Sequence, residues 1–372
     1  MLRRSARTAG PAAALAALAL LALLTVACGS SSNDSSNASD TTVAGAAVTT
    51  RAPAVSGTLN GSGSTFQKGF IDVAIGGFKK AQPGATVNYA GGGSGTGRQN
   101  LQDGVVDYAG SDGLIADADK PKYKGEVLYV PTVAAPITVS YNLSAIKDLT
   151  LDADTIARIF QRQIKKWDDP AIAALNPGVK LPSTDVTVVH RSDGSGTTEQ
   201  FTKYLVVAAP STWTLKSGST VEWPTDTQAG NGNAGVAQIV KGTAGAVGYV
   251  DLSDAKASGL QFAKVKNKTG KAVAATVEGA TAALTTTSVN ADLSYSPLNA
   301  DGADAYPITA PTWILVYKNQ ADRVKGDTVK AFLRYLVGDG QKLANDLDYA
   351  TLPSALQQKA MAQIDNIVVP AT

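Results

Sequence analysis

The sequence has very few residues of the types that build metal sites and disulfides. It contains one cysteine and one histidine in 372 residues, and aromatic residues make up only 6% of it. A single cysteine excludes an intramolecular disulfide, and one cysteine with one histidine excludes a zinc site of the usual Cys/His type. No aspartate-rich loop has the spacing of a calcium site. The sequence therefore predicts no metal and no cofactor.

An excess of charge of either sign is also missing. The chain carries 33 Lys and Arg against 31 Asp and Glu, a formal net charge of +2. A near-neutral protein lacks the basic surface on which nucleic-acid binding depends, so that class of function is excluded. Hydrophobic residues at 44% and charged residues at 17% are typical of a chain with a buried core. The length allows two domains.

The N-terminal segment is typical of an export signal. Three arginines, Arg3, Arg4 and Arg7, precede an apolar stretch over 12–24 that is too short to span a membrane. Cys28 follows small residues in "LLTVACGS" and resembles the lipidated cysteine of bacterial lipoproteins, although Thr25 departs from the usual leucine. The alternative is a free or buried thiol. Removal of the predicted signal peptide, residues 1–27, removes three arginines and no acidic residue, so the net charge falls from +2 to −1.

A polar segment separates this signal from the predicted globular body. Residues 29–56 consist mostly of Ser, Thr, Asn, Asp and Ala, with almost nothing to bury. Such a composition predicts a flexible tether, here 28–56 with the lipidated cysteine included. A lipid anchor and a tether would hold the body outside the cytoplasm at a membrane surface.

From Gly57 onward, short apolar runs alternate with helical patterns. "GATVNYAG", "VVDYAGS", "EVLYVPTVAAPITVSYN" and "VTVVHRS" are typical of strands, and "AYPITAPTWILVYKN" predicts another near the end. Phe66, Phe70, Val73 and Phe78 recur at helical spacing, and "DTVKAFLRYLV" is an amphipathic pattern. The alternation predicts an α/β fold with mainly parallel sheets.

Four glycine-rich turns indicate an anion site. They are "GSGSTFQKGF" (61–70), "GGGSGTGRQNL" (91–101), "AGSDGLI" (109–115) and "RSDGSGTTEQF" (191–201). A helix that begins in such a turn directs free N–H groups and a positive dipole end at a ligand. Each polar residue alone has a simpler interpretation: Ser64, Ser94 and Ser195 as helix caps, Asp193 as a turn residue, and Arg191 as a surface ion pair. Together the turns favour a shared anion.

Patterns of catalysis are weak in the same turns. Position 193 is Asp where a nucleophile elbow around Ser195 needs Gly, and Gly270-Lys271 is followed by Ala rather than the Ser or Thr of a P-loop. His190 is the only imidazole, and as the strand neighbour of Arg191 it should point to the opposite face. The sequence therefore favours a binding protein over an enzyme.

The chain resembles the phosphate-binding lipoproteins of bacterial ABC-type phosphate transporters. The resemblance covers nearly everything from Gly57 to the C-terminus, and it rests on long motifs such as "IFQRQIKKWDDPAIAALNPGVKLP", "VTVVHRSDGSGTTEQFTKYL", "AGAVGYV" and "QKLANDLDYATLP". It implies a two-lobed periplasmic-binding-protein-like fold of type II. The discontinuous lobes would be 57–133 plus 306–372 and 134–305, joined by hinge segments near 129–135 and 305–311. The partners it implies are phosphate and the permease subunits, with the protein itself a monomer.

The resemblance also implies the ligand contacts. They fall on Thr65, Phe66 (through its N–H), Ser94, Asp112, Arg191, Ser195, Gly196 and Thr197, with Ser64 and Asp193 behind them. The family's first turn usually has alanine where this chain has Ser62 and Ser64.

Each charged group has an expected role. Asp112 would accept a hydrogen bond from the phosphate O–H, which sulfate lacks, and Arg191 would supply the positive charge. Asp193 would pair with Arg191 and fix its rotamer. The alternative for Asp112 is a cap on a helix begun by "LIADADK". The alternative functions are binding of another oxyanion (sulfate, molybdate or arsenate) and an exported phosphatase.

Overall fold

The computed structural model describes residues 53–371. The predicted signal peptide, the lipidation of Cys28 and the tether up to residue 52 lie outside these residues. Among the residues described, no helix combines the length and the apolar character that crossing a membrane requires.

Strands and helices alternate along the described chain, as the sequence predicts. The strands are β1 Gly57–Gly63, β2 Ala85–Gly92, β3 Tyr108–Ser111, β4 Val127–Tyr141, β5 Thr150–Leu151, β6 Thr187–Arg191, β7 Gln228–Gly230, β8 Ala246–Asp251, β9 Gln261–Phe262, β10 Lys264–Lys266, β11 Ala272–Val273 and β12 Thr309–Tyr317. The α-helices are α1 Lys68–Ala81, α2 Ser94–Asp103, α3 Ala153–Phe160, α4 Pro170–Leu175, α5 Gly196–Ala208, α6 Gly232–Gly242, α7 Leu252–Ala257, α8 Val277–Thr285, α9 Arg323–Val337 and α10 Ser354–Asp365.

Nine strands form one sheet in the order β2-β1-β3-β12-β4-β8-β6-β7, with β9 paired to β4 beside this path. The predicted α/β class is confirmed, but the prediction of mainly parallel sheets is wrong. β12 is antiparallel to both β3 and β4, and β4 is antiparallel to β8. A continuous apolar run predicts a buried strand, whereas strand direction depends on where the chain returns, which the run does not encode.

The 15-residue strand β4 joins the two ends of this sheet. Its first part pairs with β12 as far as Pro136, and from Ile137 onward it pairs with β8. Every residue of β4 after Val127 is buried. Its near-continuous apolar sequence is therefore explained by burial on both faces.

Helix α1 packs its apolar face against the sheet and against α9. Phe70, Ile71, Ala74 and Phe78 are buried, and the ring of Phe78 meets that of Phe332 on α9 at 5.2 Å between centroids. The prediction that Val73 belongs to this face is wrong, because Val73 is 44% exposed. It lies well off the buried stripe at 100° per residue.

Candidate functional site

The predicted turns converge at one place. β1, β3 and β6 are all members of parallel pairs, and turns that follow such strands gather at the carboxyl edge of the sheet. Gly95 N donates to Gly194 O at 2.8 Å, which joins the second turn to the fourth. The hydroxyl of Ser94 lies against Asp112 of the third turn. Ser64 of the first turn donates to the same Asp112 carboxyl, so all four turns meet around one buried cleft.

Asp112 is the most buried charged group of this cleft, with 1% of its surface exposed. Its Oδ1 accepts hydrogen bonds from Ser64 Oγ at 2.5 Å and from Thr312 Oγ1 at 2.7 Å, and its Oδ2 accepts one from Ser94 Oγ at 3.3 Å. The alternative role as a helix cap is wrong, because no α-helix begins in 114–120 and only a 3-10 turn, Lys120–Lys122, follows.

Burial and hydrogen bonding act on Asp112 in opposite directions. Burial raises the pKa of its carboxyl to about 6, while the hydroxyls of Ser64 and Thr312, the charge of Arg191 and the hydroxyl of Ser94 hold it down. Loss of solvation disfavours the charged form, whereas hydrogen bonds donated to a carboxylate favour it. Asp112 is therefore mainly ionised at neutral pH and becomes protonated in mild acid.

Arg191 is held in place by three side chains. Its Nε donates to Asp193 Oδ1 at 2.7 Å and its Nη2 donates to Asp193 Oδ2, so the predicted pair is present. Its Nη1 donates to Asn233 Oδ1 at 3.0 Å and to Thr197 Oγ1 at 3.4 Å. Burial alone would raise the pKa of Asp193, but Arg191 keeps that pKa below its ordinary value.

Three hydroxyl oxygens in the cleft accept hydrogen bonds from backbone or side-chain N–H groups, which leaves their own protons free to be donated to a ligand. Ser195 Oγ accepts from Thr198 N at 3.0 Å, which makes Ser195 the cap of α5 as well. Thr65 Oγ1 accepts from Asn233 N at 3.2 Å, and Thr197 Oγ1 accepts from Asn233 Nδ2 at 3.3 Å. Each of these oxygens has its O–H left to donate to an anion.

The start of α5 adds backbone donors to the same cleft. The first hydrogen bond of this helix runs from Glu199 N to Ser195 O, at 3.0 Å. The N–H groups of Gly196 and Thr197 come before it, so they have no partner within the helix and can donate to a ligand. A Cβ at Gly196 would lie 2.3 Å from Ser94 Oγ and 2.6 Å from Asp112 Oδ2. Only glycine allows this helix end to approach so closely. The N–H of Phe66, by contrast, donates to Ser64 Oγ at 3.1 Å.

Two residues of the cleft were missed by sequence reasoning. Asn233 lies in a fifth turn, "AGNGNAG" (229–235), which is as rich in glycine as the other four and also leads into a helix, α6, so its signal was present. Thr312 lies inside the apolar run of β12 and carries no such signal. It reaches Asp112 only because β12 pairs with β3.

His190 lies away from this cleft, as its position next to Arg191 predicts. Its ring stacks on Trp223 at 5.0 Å between centroids, and its Nε2 lies 3.1 Å from Thr227 Oγ1. Burial lowers the pKa of His190. Ser195 therefore has no imidazole base at hand. Within 53–371, no three His, Cys, Asp or Glu residues are grouped so as to hold a metal ion.

Solved structures share this fold. A high-affinity periplasmic phosphate-binding protein bound with phosphate superposes with a TM-score of 0.70 at 20% identity, over 82% of this chain and 93% of that one. An ABC-type phosphate transport receptor from Vibrio cholerae gives a TM-score of 0.55 at 19% identity, over 79% and 99%. At these identities the likeness establishes the fold alone.

Sequence comparison establishes the family. A family model described as a PBP superfamily domain matches residues 47–340. Phosphate-binding protein PstS 3 of Mycobacterium leprae is 32% identical over 321 residues, which is 81% of this chain and 85% of that protein. Phosphate-binding protein PstS of Methanocaldococcus jannaschii is 36% identical over 306 residues, 76% and 78% of the two chains. This chain therefore belongs to the PstS family of phosphate-binding proteins within the periplasmic-binding-protein superfamily.

Proposed function

We propose that this protein binds inorganic phosphate outside the cytoplasm and delivers it to the permease of an ABC transporter. The observation that carries the proposal is that one cleft contains both a buried carboxylate, Asp112, and a buried guanidinium, Arg191, and is otherwise lined by hydroxyls and helix N–H groups. Membership of the PstS family supports it. The chain is accordingly a binding protein and not an enzyme.

The proposed contacts divide into donors and one acceptor. The donors are Thr65, Ser94, Arg191, Ser195, Gly196 and Thr197. Two of the donor groups are shared: the Phe66 N–H between the anion and Ser64, and the Ser94 O–H between the anion and Asp112. Arg191 supplies the full positive charge, and its guanidinium suits an edge of a tetrahedral oxyanion. Asp193 orients it, and Ser64 acts through Asp112. The single acceptor is Asp112, and Asn233 joins the set as the residue that positions Thr65 and Thr197.

The acceptor explains how phosphate is distinguished from sulfate. Phosphate keeps at least one proton at neutral pH, and this proton can be donated to Asp112. Sulfate has no proton, so it would place an oxygen against the carboxylate with neither able to donate. Because an unpaired buried polar group is costly, such a site can reject the wrong ligand by several powers of ten.

Calorimetry with a panel of anions tests the proposal. Phosphate should bind tightly, arsenate should also bind because it carries the same proton, and sulfate and molybdate should bind weakly or not at all. Mass spectrometry under non-denaturing conditions should show one phosphate per chain in protein purified from cells. Sulfate bound as tightly as phosphate would contradict the assignment.

We also propose two lobes and a lipid anchor. The lobes would be 57–133 plus 306–372 and 134–305, and the change of partner along β4 at Pro136 and Ile137 supports a hinge near 129–135. β12, which returns along β4, supports the second hinge segment near 305–311. The anchor would be a lipid on Cys28 after removal of residues 1–27, with 28–56 as the tether. The last residues of this segment already meet the body, since Val55 N donates to Gln82 Oε1 at 3.1 Å and Ser56 O accepts from Thr328 Oγ1 at 2.9 Å.

A further inference from the structure

We propose that the hydroxyl groups of Ser64 and Thr312 are positioning groups that keep Asp112 ionised, direct its Oδ2 towards the anion, and thereby set the lowest pH at which the site rejects sulfate. This inference rests on the proposed function, since it concerns the acceptor that distinguishes the two anions.

The geometry first shows that both hydroxyls donate to Asp112. Ser64 Oγ already accepts the N–H of Phe66 at 3.1 Å, so its own proton is free to be donated to Asp112 Oδ1, which lies 2.5 Å away. Thr312 Oγ1 lies 2.7 Å from the same oxygen. Two donors fill the two lone pairs of Oδ1. Ser64 is 1% exposed and Thr312 is fully buried, so water does not compete for either bond.

The other carboxylate oxygen faces the ligand side. Oδ2 lies 2.6 Å from the position that a Cβ on Gly196 would occupy, next to the N–H groups at the start of α5. Its bond from Ser94 Oγ is long, at 3.3 Å. Oδ2 therefore has capacity for a proton from the anion, while Oδ1 serves to hold the carboxylate.

The charge state of Asp112 depends on a narrow balance. The charged and titratable side chains that face it from the packed elements are Arg191, Tyr89, Asp251, Tyr349 and the pair formed by Arg98 and Glu199 beside Gly113. Among them Arg191 favours the carboxylate. Burial nevertheless raises the pKa of Asp112 to about 6, and the hydrogen bond from Ser64 is the foremost influence that lowers it.

Protonation would remove the rejection of sulfate. A protonated Asp112 donates a hydrogen bond, so it can meet a sulfate oxygen that the carboxylate repels. Loss of the Ser64 hydroxyl removes one bond to the carboxylate and raises the pKa of Asp112 further. Sulfate binding should then begin at a higher pH than in the wild type.

Sulfate titrations across pH test this directly, because sulfate stays fully ionised and its binding reports the protein alone. In the wild type, sulfate affinity should rise as pH falls through about 6. In Ser64→Ala this rise should move to higher pH, and the sulfate-to-phosphate affinity ratio at neutral pH should increase about tenfold, the equivalent of roughly 1.5 kcal/mol for one hydrogen bond to a charged group. Thr312→Val should act in the same direction, and Ser64→Thr should restore the wild-type profile.

Ser62→Ala is the matched control. Ser62 lies two residues before Ser64, within β1, and is buried, but its Oγ accepts from Asn100 Nδ2 at 2.9 Å and makes no hydrogen bond to Asp112. The sulfate affinity of Ser62→Ala should vary with pH as it does in the wild type.

Failure of the inference is distinguishable from failure of the proposed function. A wild type that does not bind phosphate overturns the proposed function. If the wild type binds phosphate selectively and Ser64→Ala has the same sulfate affinity as the wild type at every pH, only the role of Ser64 and Thr312 is overturned. If Ser62→Ala moves the rise in sulfate affinity to higher pH by as much as Ser64→Ala does, the inference is also overturned. If Ser64→Ala does not fold, Thr312→Val gives the same comparison.

Discussion

A buried carboxylate has to be surrounded by donors if it is to remain charged, and Asp112 shows how this chain meets that requirement. Its hydroxyl partners come from three separate regions of the sequence: Ser64, Ser94 and Thr312. The sequence showed Ser64 and Ser94 in glycine-rich turns, and the family resemblance implied that both belong to the same site as Asp112. Thr312 could not be predicted, since only the pairing of β12 with β3 brings it there. Local composition identifies turns, but strand pairing decides which residues meet.

Replacement of Asp112 by Asn tests its role as the selective acceptor. Asn has the same size, and its amide can rotate to donate a hydrogen bond to sulfate. We expect Asp112→Asn to fold and to lose discrimination, with the sulfate-to-phosphate affinity ratio rising at least tenfold, since a hydrogen bond to a charged group contributes roughly 1.5 to 3 kcal/mol. Calorimetry with both anions measures the ratio.

The control for this variant is Asp107→Asn. Asp107 lies in the connection just before β3, and its Oδ2 accepts from Asn60 N at 2.8 Å, away from the cleft. Its anion preference should equal that of the wild type. An unchanged ratio in Asp112→Asn would remove Asp112 from the selectivity mechanism.

Asp251 gives a prediction for stability. Its Oδ1 caps α7 by accepting from Asp254 N at 3.0 Å, but its buried Oδ2 has no hydrogen-bond partner among the described residues. Burial, followed by the charge of Asp254, raises the pKa of Asp251 well above its ordinary value. Because the folded state holds the proton more tightly than the unfolded state, this group stabilises the fold fully at acidic pH, and the contribution is lost as pH rises.

Asp251→Asn should therefore stabilise the protein at high pH. Asn retains the cap and removes the buried charge. We expect a gain of about 1 to 3 kcal/mol in the free energy of unfolding near pH 8 and little change near pH 4. Thermal unfolding across this range measures it. Asp322→Asn, which alters the exposed cap of α9, should show no such dependence on pH. A pH-independent difference between Asp251→Asn and the wild type would contradict the argument.

Along the chain, the sequence predicted five of the strands (β2, β3, β4, β6 and β12), the helices α1 and α9 and the four turns, because hydrophobic periodicity and glycine content are local signals. What it could not predict was the antiparallel placement of β4 and β12 in the middle of the sheet. The fifth turn, before α6, carried the same signal as the others and was overlooked. Its residue Asn233 contacts both Thr65 and Thr197, so it links the turns on the two sides of the cleft.

An ion pair also crosses the cleft between two helices that begin at the site. Arg98 on α2 lies 3.5 Å from Glu199 on α5, and their side chains are only 15% and 10% exposed. Arg98 also donates to Ser111 Oγ at 3.0 Å. We expect Arg98→Gln to increase the rate of phosphate dissociation about fivefold, because a partly buried pair contributes roughly 1 kcal/mol and such losses appear mostly in the dissociation rate.

A double-mutant cycle separates this pair from general damage. Arg98→Gln with Glu199→Gln should dissociate no faster than either single variant. Arg162→Gln is the control, since Arg162 pairs with Asp226 at 3.0 Å on one side of the cleft only. Stopped-flow measurement of phosphate release from the wild type and the four variants checks this. Strict additivity of the two changes would show that Arg98 and Glu199 act independently.

At the scale of the whole molecule, the site is divided between the two ends of one sheet. The turns after β1, β2 and β3 supply Thr65, Ser94 and Asp112, and the turns after β6 and β7 supply Arg191 to Thr197 and Asn233. Neither end alone has both the acceptor and the positive charge. A ligand that needs both is therefore bound only when the two ends face each other across the cleft.

Cys28, the predicted site of the lipid anchor, lies outside the described residues. The proposed site residues all lie within 64–312, so a substitution at Cys28 changes none of them. Lipid chains hold a protein firmly at a membrane, since each buried methylene contributes roughly 0.8 kcal/mol. Cys28→Ser should therefore release the protein into the soluble fraction while its phosphate affinity by calorimetry stays equal to that of the wild type. Ser30→Ala, two residues further along in the predicted tether, is the control and should stay with the membrane. Retention of Cys28→Ser at the membrane would show that something other than a lipid on this cysteine holds the protein there.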